Sequence, residues 1–286
     1  MSQENLDAAV VEGFGDEWRR FDQSALSTVE REAIARDYFA IFPWQQLAPD
    51  AVGMDLGCGS GRWAQVVAPR VGHLHCVDAS AVALGVAASN LRKVVNVSLH
   101  HASVDSIPLP DASLDFAYSL GVLHHLPRPT EGLVALARKL KPGAPLLLYL
   151  YYALDNRPLW FRLIWRLSEV PRAIISRLPY RLRHAASELM AGAVYWPLAR
   201  TALLLERAGL PVDAFPLSAY RHRSFYVMRT DARDRFGTRL EHRFSRADIR
   251  RLMATAGLER VTFSETAPYW CAVGYRTSAS ESAPSR

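Results

Sequence analysis

The chain has 286 residues, half of them apolar, and a formal net charge of +6; it can bury a full core as one domain with an elaboration, and has room for no more than about two domains. No apolar run reaches the about 18 residues of a membrane-spanning helix, and no charged-apolar-cleavage pattern opens the sequence, so it reads as soluble, unexported and cytoplasmic. The positive charge would ordinarily suggest a nucleic-acid partner, but its distribution argues otherwise: only three lysines occur, no basic run of five exists, and the arginines are scattered among Trp- and Leu-rich segments rather than forming a phosphate-tracking stripe.

The N-terminal segment Glu12–Asp22 carries Phe14 between Gly13 and Gly15, with Trp18 and Phe21 at helical spacings from it. It is predicted to form a flap that presents aromatic rings, and an aromatic face suits a cationic ligand. The alternative is an amphipathic helix whose aromatics dock on the fold. A helical stretch over Ser27–Phe42 follows, and residues 1–45 together form an N-terminal helical cap.

Residues 53–61 read Gly53-Met54-Asp55-Leu56-Gly57-Cys58-Gly59-Ser60-Gly61, an acid two positions ahead of three alternating glycines. Glycines at a strand-to-helix turn permit positive φ and let the backbone approach a ligand more closely than any Cβ would allow. A dinucleotide turn would require a further glycine at 62, where Arg62 stands. Asp55 would also repel a diphosphate while attracting an ammonium group. Residues 62–70 then predict a short helix, and His73–Val77 a strand closing on Asp78, about 20 residues beyond the glycines, where such folds place an acid that binds ribose hydroxyls. The other role open to Asp78 is to cap the helix that follows Ser80.

With these motifs the chain resembles the class I S-adenosylmethionine-dependent methyltransferases of the small-molecule type, closely over about residues 50–150 and loosely over 245–276. The resemblance implies S-adenosylmethionine as cofactor and S-adenosylhomocysteine as product. It places Asp55, Gly57, Gly59 and Gly61 at the amino-acid end of the cofactor, Asp78 and Ala79 at the ribose, and Trp18 over the site as the N-terminal helices close. A third strand, Val97–His101, leads into Ser103, Val104 and Asp105, the loop that would border the adenine; the family usually has Asp at the position of Ser103. A fourth strand, Asp115–Ser119, brings Ser119 and Leu120 to the cofactor and leads to His124 and His125. His125 is the preferred general base and His124 the second choice, because both follow the strand at the carboxyl edge where ligands bind. The alternative for either is a histidine at a helix start, bonded to the backbone.

Lys139–Gly143 makes the turn before a fifth strand, Leu146–Leu150, and the alternation of strands and helices predicts a doubly wound parallel α/β sheet. The closing pair Val261–Phe263 and Cys271–Tyr275 matches the antiparallel edge of the seven-stranded, Rossmann-like methyltransferase sheet. The binding domain is accordingly assigned to 46–152 and 245–277, an inserted substrate-binding lid to 153–244, and a flexible tail to 278–286.

The insertion reads as helices over Pro158–Leu167, Arg172–Arg183 and Ala185–Ala208, punctuated by Pro171, Pro179 and Pro197. Its mixture of Trp160, Phe161, Ile164, Trp165 and arginines fits a lid or a homodimer contact, or peripheral contact with an anionic membrane. Tyr220, Arg223, Tyr226 and Arg229, with Tyr152 after the fifth strand, are assigned to substrate, since guanidinium forks bind oxyanions in two places; the alternative is a solvated, charged strand or, from the three-residue steps, one face of a helix. The three cysteines, Cys58, Cys76 and Cys271, lack metal-ligand spacing, and neither a metal nor a disulfide is predicted.

The expectation is therefore methyl transfer to an oxygen, nitrogen or sulfur of a small polar acceptor, acidic or sugar-like. Two other readings remain: a membrane-associated methyltransferase of a lipid or quinone, and a non-catalytic module that binds the cofactor product or a partner.

Overall fold

The computed structural model describes residues 4–278. The chain divides into two compact units, one of Met1–Ser24, Arg31–Ala153 and Leu240–Arg286, the other of Ala25–Glu30 and Leu154–Arg239.

The first unit is built on a seven-stranded sheet. Its strands are β1 (Val52–Leu56), β2 (His73–Asp78), β3 (Val97–His101), β4 (Phe116–Leu120), β5 (Pro145–Tyr149), β6 (Leu258–Phe263) and β7 (Cys271–Arg276), in the order β3-β2-β1-β4-β5-β7-β6. The first five run parallel, while β7 is antiparallel to both β5 and β6. This is the doubly wound α/β sheet with an antiparallel edge that the alternation of elements predicts. The order has a direct consequence for binding. From β1 the chain winds outward through β2 to β3, then returns to place β4 on the other side of β1, so the crossovers diverge and leave a crevice beyond the carboxyl ends of β1 and β4.

The helices of this unit are α1 (Ala8–Arg20), α2 (Thr28–Tyr38, counted here from Arg31), α3 (Ala64–Val67), α4 (Ala81–Asn90), α5 (Pro129–Lys139) and α10 (Arg246–Thr255). Because strand side chains alternate between faces, the core falls into two layers. Met54, Leu56, Val77, Leu146 and Leu148 pack with Leu133, Leu136, Ile249 and Met253 of α5 and α10. Leu74, Cys76, Phe116, Tyr118 and Leu147 pack with Ala35, Ala64, Val67, Leu84 and Ala87 from α2, α3 and α4, and with Phe39 just past the end of α2. The three cysteines are free and buried within this second layer.

The α1 segment is a regular helix rather than an irregular flap. Asp7 caps it, its carboxylate accepting from the amides of Ala9 and Val10, and Arg19 and Arg20 complement the dipole at the last turn. Gly15 allows close passage, since a Cβ there would stand 2.9 Å from the Ser80 hydroxyl and 3.3 Å from Val82 at the start of α4.

The second unit holds α6 (Leu159–Ile175), α7 (Tyr180–Met190), α8 (Trp196–Arg207) and α9 (Phe225–Gly237) around a core of Ile175, Ala191, Tyr195, Ala199, Met228, Ala232 and Phe236. Two boundaries differ from the sequence expectation. Pro171 lies inside α6 instead of ending a helix; its local cost is offset where Arg172 bonds Glu169 and the Thr238 carbonyl and Ile175 enters the core. The chain breaks at 176–179 instead. From α7 it passes through a five-residue π-helical stretch, Ala191–Tyr195, straight into α8, which sets Tyr195 inward with its hydroxyl donating to Asp231 at 2.8 Å. The segment predicted as a terminal tail, 278–286, falls outside the described residues from 279 onward.

Gly53 shows how tightly the central strands mesh. It faces Phe116 across β1 and β4, and a Cβ would stand 2.0 Å from the Phe116 ring. Gly53→Ala is expected to destabilise the protein by about 1–3 kcal/mol through overpacking, measured as the denaturation midpoint, and Phe116→Leu in the same chain should recover part of the loss. An additive double variant would show that this contact does not set the spacing.

Candidate functional site

The site begins at the carboxyl end of β1. Asp55 is 1% exposed and accepts a hydrogen bond from the Tyr118 hydroxyl on neighbouring β4 at 3.0 Å. Burial pushes its pKa up to about 8, reinforced by the Asp78 charge and opposed by the Tyr118 hydrogen bond and by Arg62. A carboxyl in this position holds its proton near neutral pH, and a cation brought beside it would draw it into the ionised form.

The glycine turn follows. Gly57, Gly59 and Gly61 all have positive φ, and all three are also held by contact, Gly61 against Leu91. A Cβ on Gly57 would stand 2.3 Å from Val122, and one on Gly59 would stand 2.8 Å from the Trp18 indole. The turn therefore touches the loop after β4 on one side and α1 on the other. Ser60, between the glycines, is fully buried and its hydroxyl has no hydrogen-bond partner.

Asp78, at the end of β2, accepts from the Gly59 amide through one carboxylate oxygen and from the Ser80 amide through the other, both at 2.8 Å. It fixes the turn. The cap of α4 is Ser80, whose hydroxyl accepts from the Ala83 amide, so the alternative role for Asp78 as the helix cap itself is corrected. A carboxylate has about four lone-pair sites, and two hydrogen bonds leave capacity for a diol. Burial raises the Asp78 pKa, while its two amide bonds act the other way.

The other residues assigned to the cofactor fall around this centre. The Ala79 carbonyl meets the His101 ring at 3.0 Å. Ser103 and Val104 are buried, and the Ser103 hydroxyl lies 3.1 Å from that of Ser106. Asp105 is exposed, and its carboxylate accepts from the Asn5 amide at 2.6 Å. Ser119 directs its hydroxyl to the Leu56 carbonyl at 3.0 Å, which ties β4 to β1 and leaves its backbone, with that of buried Leu120, as what it can offer a ligand.

Both histidines are buried in the loop after β4. His125 Nδ1 lies 2.7 Å from the Leu240 carbonyl. A carbonyl can only accept, so Nδ1 carries the hydrogen and, in the neutral ring, Nε2 carries the lone pair. This is the backbone-bonded histidine of the alternative reading, and the same bond gives it the tautomer that a base requires. His124 is stacked on Tyr151 with ring centroids 4.0 Å apart, and neither of its ring nitrogens has a hydrogen-bond partner. Burial, with the charges of His125 and Arg243, holds its pKa well below the usual histidine value. His124 is therefore a neutral packing residue, while the His125 ring is oriented by the Leu240 carbonyl.

Besides the aromatic segment that the sequence singles out, the site has residues with no signal in the sequence. Phe14 meets the His125 ring with centroids 4.9 Å apart, so Phe14 and Trp18, one helical turn apart on α1, cover the histidine and the glycine turn respectively. Asn5 is completely buried and exchanges hydrogen bonds with the backbone of Arg128 at 2.9 and 2.8 Å. Residues 240–244 form a strap along the chain after β5: the His242 amide donates to the His124 carbonyl, the Phe244 amide to the Tyr151 carbonyl, and the Ala153 amide to the Phe244 carbonyl, each at 2.9 Å. Arg243 bonds the Tyr152 carbonyl, ion-pairs with Glu241 and lies over the Tyr151 ring.

Among the residues assigned to substrate, Tyr152 packs against Tyr269 and Trp270. Tyr220, Arg223, Tyr226 and Arg229 belong to the second unit. There the Tyr220 ring meets Tyr195, the Arg223 carbonyl accepts from Arg200, and Arg229 is ion-paired to Glu188 at 2.6 Å. Tyr226 lies on α9, where its carbonyl accepts from the Thr230 hydroxyl. Among the described residues no group of three or more His, Cys, Asp or Glu is arranged to hold a metal, and no helix is long and apolar enough to cross a membrane.

Residues 54–148 match the family model described as a methyltransferase domain. Over this region the chain is similar to methyltransferase domains. It is 33% identical over 92 residues to a ubiquinone biosynthesis O-methyltransferase of Aromatoleum aromaticum, covering 32% of this chain and 39% of that protein. It is 34% identical over 99 residues to the mitochondrial ubiquinone biosynthesis O-methyltransferase of Schizosaccharomyces pombe, covering 33% and 36%. The matched region thus spans less than half the length of these curated relatives. Among solved structures, the CurJ carbon methyltransferase aligns over 96% of this chain and 62% of its own at a TM-score of 0.52 with 15% identity, a likeness of fold.

Asp55 gives a test of the site's electrostatics. Its folded pKa lies near 8, against about 3.9 for an unfolded aspartate. The folded state therefore keeps a proton that the unfolded chain has released, so the stabilisation is fully present below about pH 4 and is lost as pH rises through 8. Asp55→Asn can still accept from Tyr118 and does not titrate. The difference in denaturation midpoint between wild type and variant should move against the wild type from pH 5 to pH 8; a constant difference would place the Asp55 pKa in the ordinary range.

Proposed function

We propose that the chain transfers a methyl group from S-adenosylmethionine to a nucleophilic atom of a small acceptor, an oxygen being favoured. The observation that carries this reading is the joining of the glycine turn, Asp55 and Asp78 to the loop that holds a carbonyl-locked His125, through the contact between Gly57 and Val122.

The residues present fit such a cofactor. The positive-φ turn offers close backbone approach, the orphaned Ser60 hydroxyl offers a donor and acceptor, and the two buried carboxyls match an ammonium group and a diol. Asp55 would hold the ammonium, becoming ionised as the cation compensates its burial. The spare lone pairs of Asp78 would accept from the ribose hydroxyls. Phe14 and Trp18 would exclude water and present aromatic faces to positive charge. When bound, S-adenosylmethionine supplies an activated methyl on a sulfonium, which carries most of the driving force. The protein is left to orient the acceptor and to take up its proton.

His125 performs the second task. Its Nδ1–H is committed to the Leu240 carbonyl, so Nε2 is the atom that would accept the acceptor's hydroxyl proton, and the resulting imidazolium keeps its bond to the carbonyl. An oxygen acceptor also agrees with the O-methyltransferase names of the relatives matched over this region. A thiolate or an unprotonated amine would need no such base.

Calorimetry should show that S-adenosylhomocysteine binds and that Gly59→Val abolishes binding, because valine would have to adopt positive φ and displace Trp18. With isotopically labelled methyl donor and a metabolite extract, mass spectrometry should reveal the methylated product. His125→Ala should lower that rate by a factor on the order of 10² or more while leaving affinity for S-adenosylhomocysteine nearly unchanged. Tight binding of NAD with none for S-adenosylhomocysteine would refute the cofactor. An unaltered rate in His125→Ala would refute the base and leave the cofactor reading intact.

A further inference from the structure

We propose that α6 of the second unit is an interfacial helix that lies on an anionic lipid surface. The inference is independent of the methyl-transfer reading and rests on the distribution of side chains around this one helix.

Leu159, Leu163, Leu167, Val170 and Ile174 keep between 59% and 80% of their surface exposed, and Trp160 and Ile164 about half. At 100° per residue these seven side chains fall within an arc of about 140°, along a helix about 25 Å long. The face opposite carries the contacts that hold α6 to its own unit. Trp165 lies beneath the Arg235 guanidinium, Glu169 pairs with Arg172 and Arg235, Arg172 bonds the Thr238 carbonyl, and Ile175 enters the core. The helix is therefore already docked on one side, and its exposed side is as apolar as a core face. A contiguous apolar face of this length on a soluble unit marks an interaction surface.

The charges around the face identify what covers it. Residues 157–183 contain seven arginines and a single acid, Glu169, which is spent on the inner side. Arg162 and Arg166 run along one border of the apolar arc, and exposed Arg177 and Arg181 follow its C-terminal end. The excess extends through the insertion, where residues 154–239 hold fifteen arginines and no lysine against seven carboxylates. Two copies packed through this face would bring their arginine borders together with no acid on the face to neutralise them. A bilayer surface rich in anionic headgroups supplies the counter-charge, while its acyl boundary takes up the leucine, isoleucine and valine side chains. Trp160 near the start of the helix suits the headgroup level. Because no helix among the described residues is long and apolar enough to span a membrane, the helix would lie in the plane of the interface.

The test is co-sedimentation of the full chain with vesicles of phosphatidylcholine containing phosphatidylglycerol, against vesicles of phosphatidylcholine alone. Wild type should pellet with the anionic vesicles at low salt, be released by high salt, and stay in solution with the neutral ones. Leu163→Glu combined with Leu167→Glu alters only exposed positions and should lower partitioning at least about tenfold, with the circular dichroism spectrum and thermal midpoint unchanged. Wild type remaining in solution with anionic vesicles would overturn the proposal, as would equal partitioning of the folded double variant. So would a wild-type dimer in light scattering that the same substitutions split, which would show that a second copy covers the face.

Discussion

The first unit depends on one buried acid. Asp55 ends the central strand, and three parallel strands converge on it: β1 carries it, β4 supplies the Tyr118 hydroxyl, and β2 ends in Asp78, which holds the glycine turn by the Gly59 amide. An isolated charge in such a place would be costly, and the carboxyl meets that cost by holding its proton up to about pH 8. The sheet thus keeps a site whose charge state waits on a ligand. A cation restores the ionised form, whereas an anion would be repelled by the two carboxyls as they ionise, with Arg62 acting the other way at Asp55.

Most of this frame was legible because it is local. The glycines, the acid two positions before them and the acid some twenty positions later are set by the geometry of one βαβ unit, and that geometry has few solutions. Strand boundaries shifted by one or a few residues, and each expected strand is present. What the sequence could not show is what crosses the fold. Nothing in the isolated stretch around Phe14 says that it will meet a histidine more than a hundred positions away, or that Trp18, expected over the site, will close on Gly59 in particular. The glycines flanking Phe14 suggested an irregular flap, yet Gly15 serves a helix that must pass close to Ser80. Pro171 misled in a similar way, since a proline inside a helix is unfavourable only until the packing of its flanks outweighs it.

His125 shows why a motif and its environment answer different questions. Its position after β4 singles it out, but its tautomer is decided by a carbonyl from residue 240, brought back by the strap that hydrogen-bonds to both the His124 and the Tyr151 backbones. The strap makes neighbouring histidines unequal. One is oriented by a hydrogen bond at one nitrogen; the other is sealed against Tyr151 with neither nitrogen partnered. Burial without a partner favours the neutral ring, and nothing orients a proton on it. Of two adjacent residues of the same type, the structure orients the ring of one by a hydrogen bond and packs the other against an aromatic ring.

The net charge has a comparable resolution. Summed over the whole chain, +6 suggests a diffuse attraction to polyanions, but residues 154–239, with fifteen arginines and seven acids, hold more than the entire excess. The remainder of the chain is slightly acidic and contains the paired carboxyls of the candidate site. Basic charge on the insertion is interleaved with Leu, Ile and Trp at helical spacing, so it borders an apolar face instead of lining a groove. A nucleic acid would reward a continuous row of phosphate contacts and gain nothing from exposed leucines. A lipid surface rewards both features together, since headgroups answer the arginines and the acyl boundary answers the leucines. The two halves of the composition, apolar and basic, describe one surface when they are placed on the same helix.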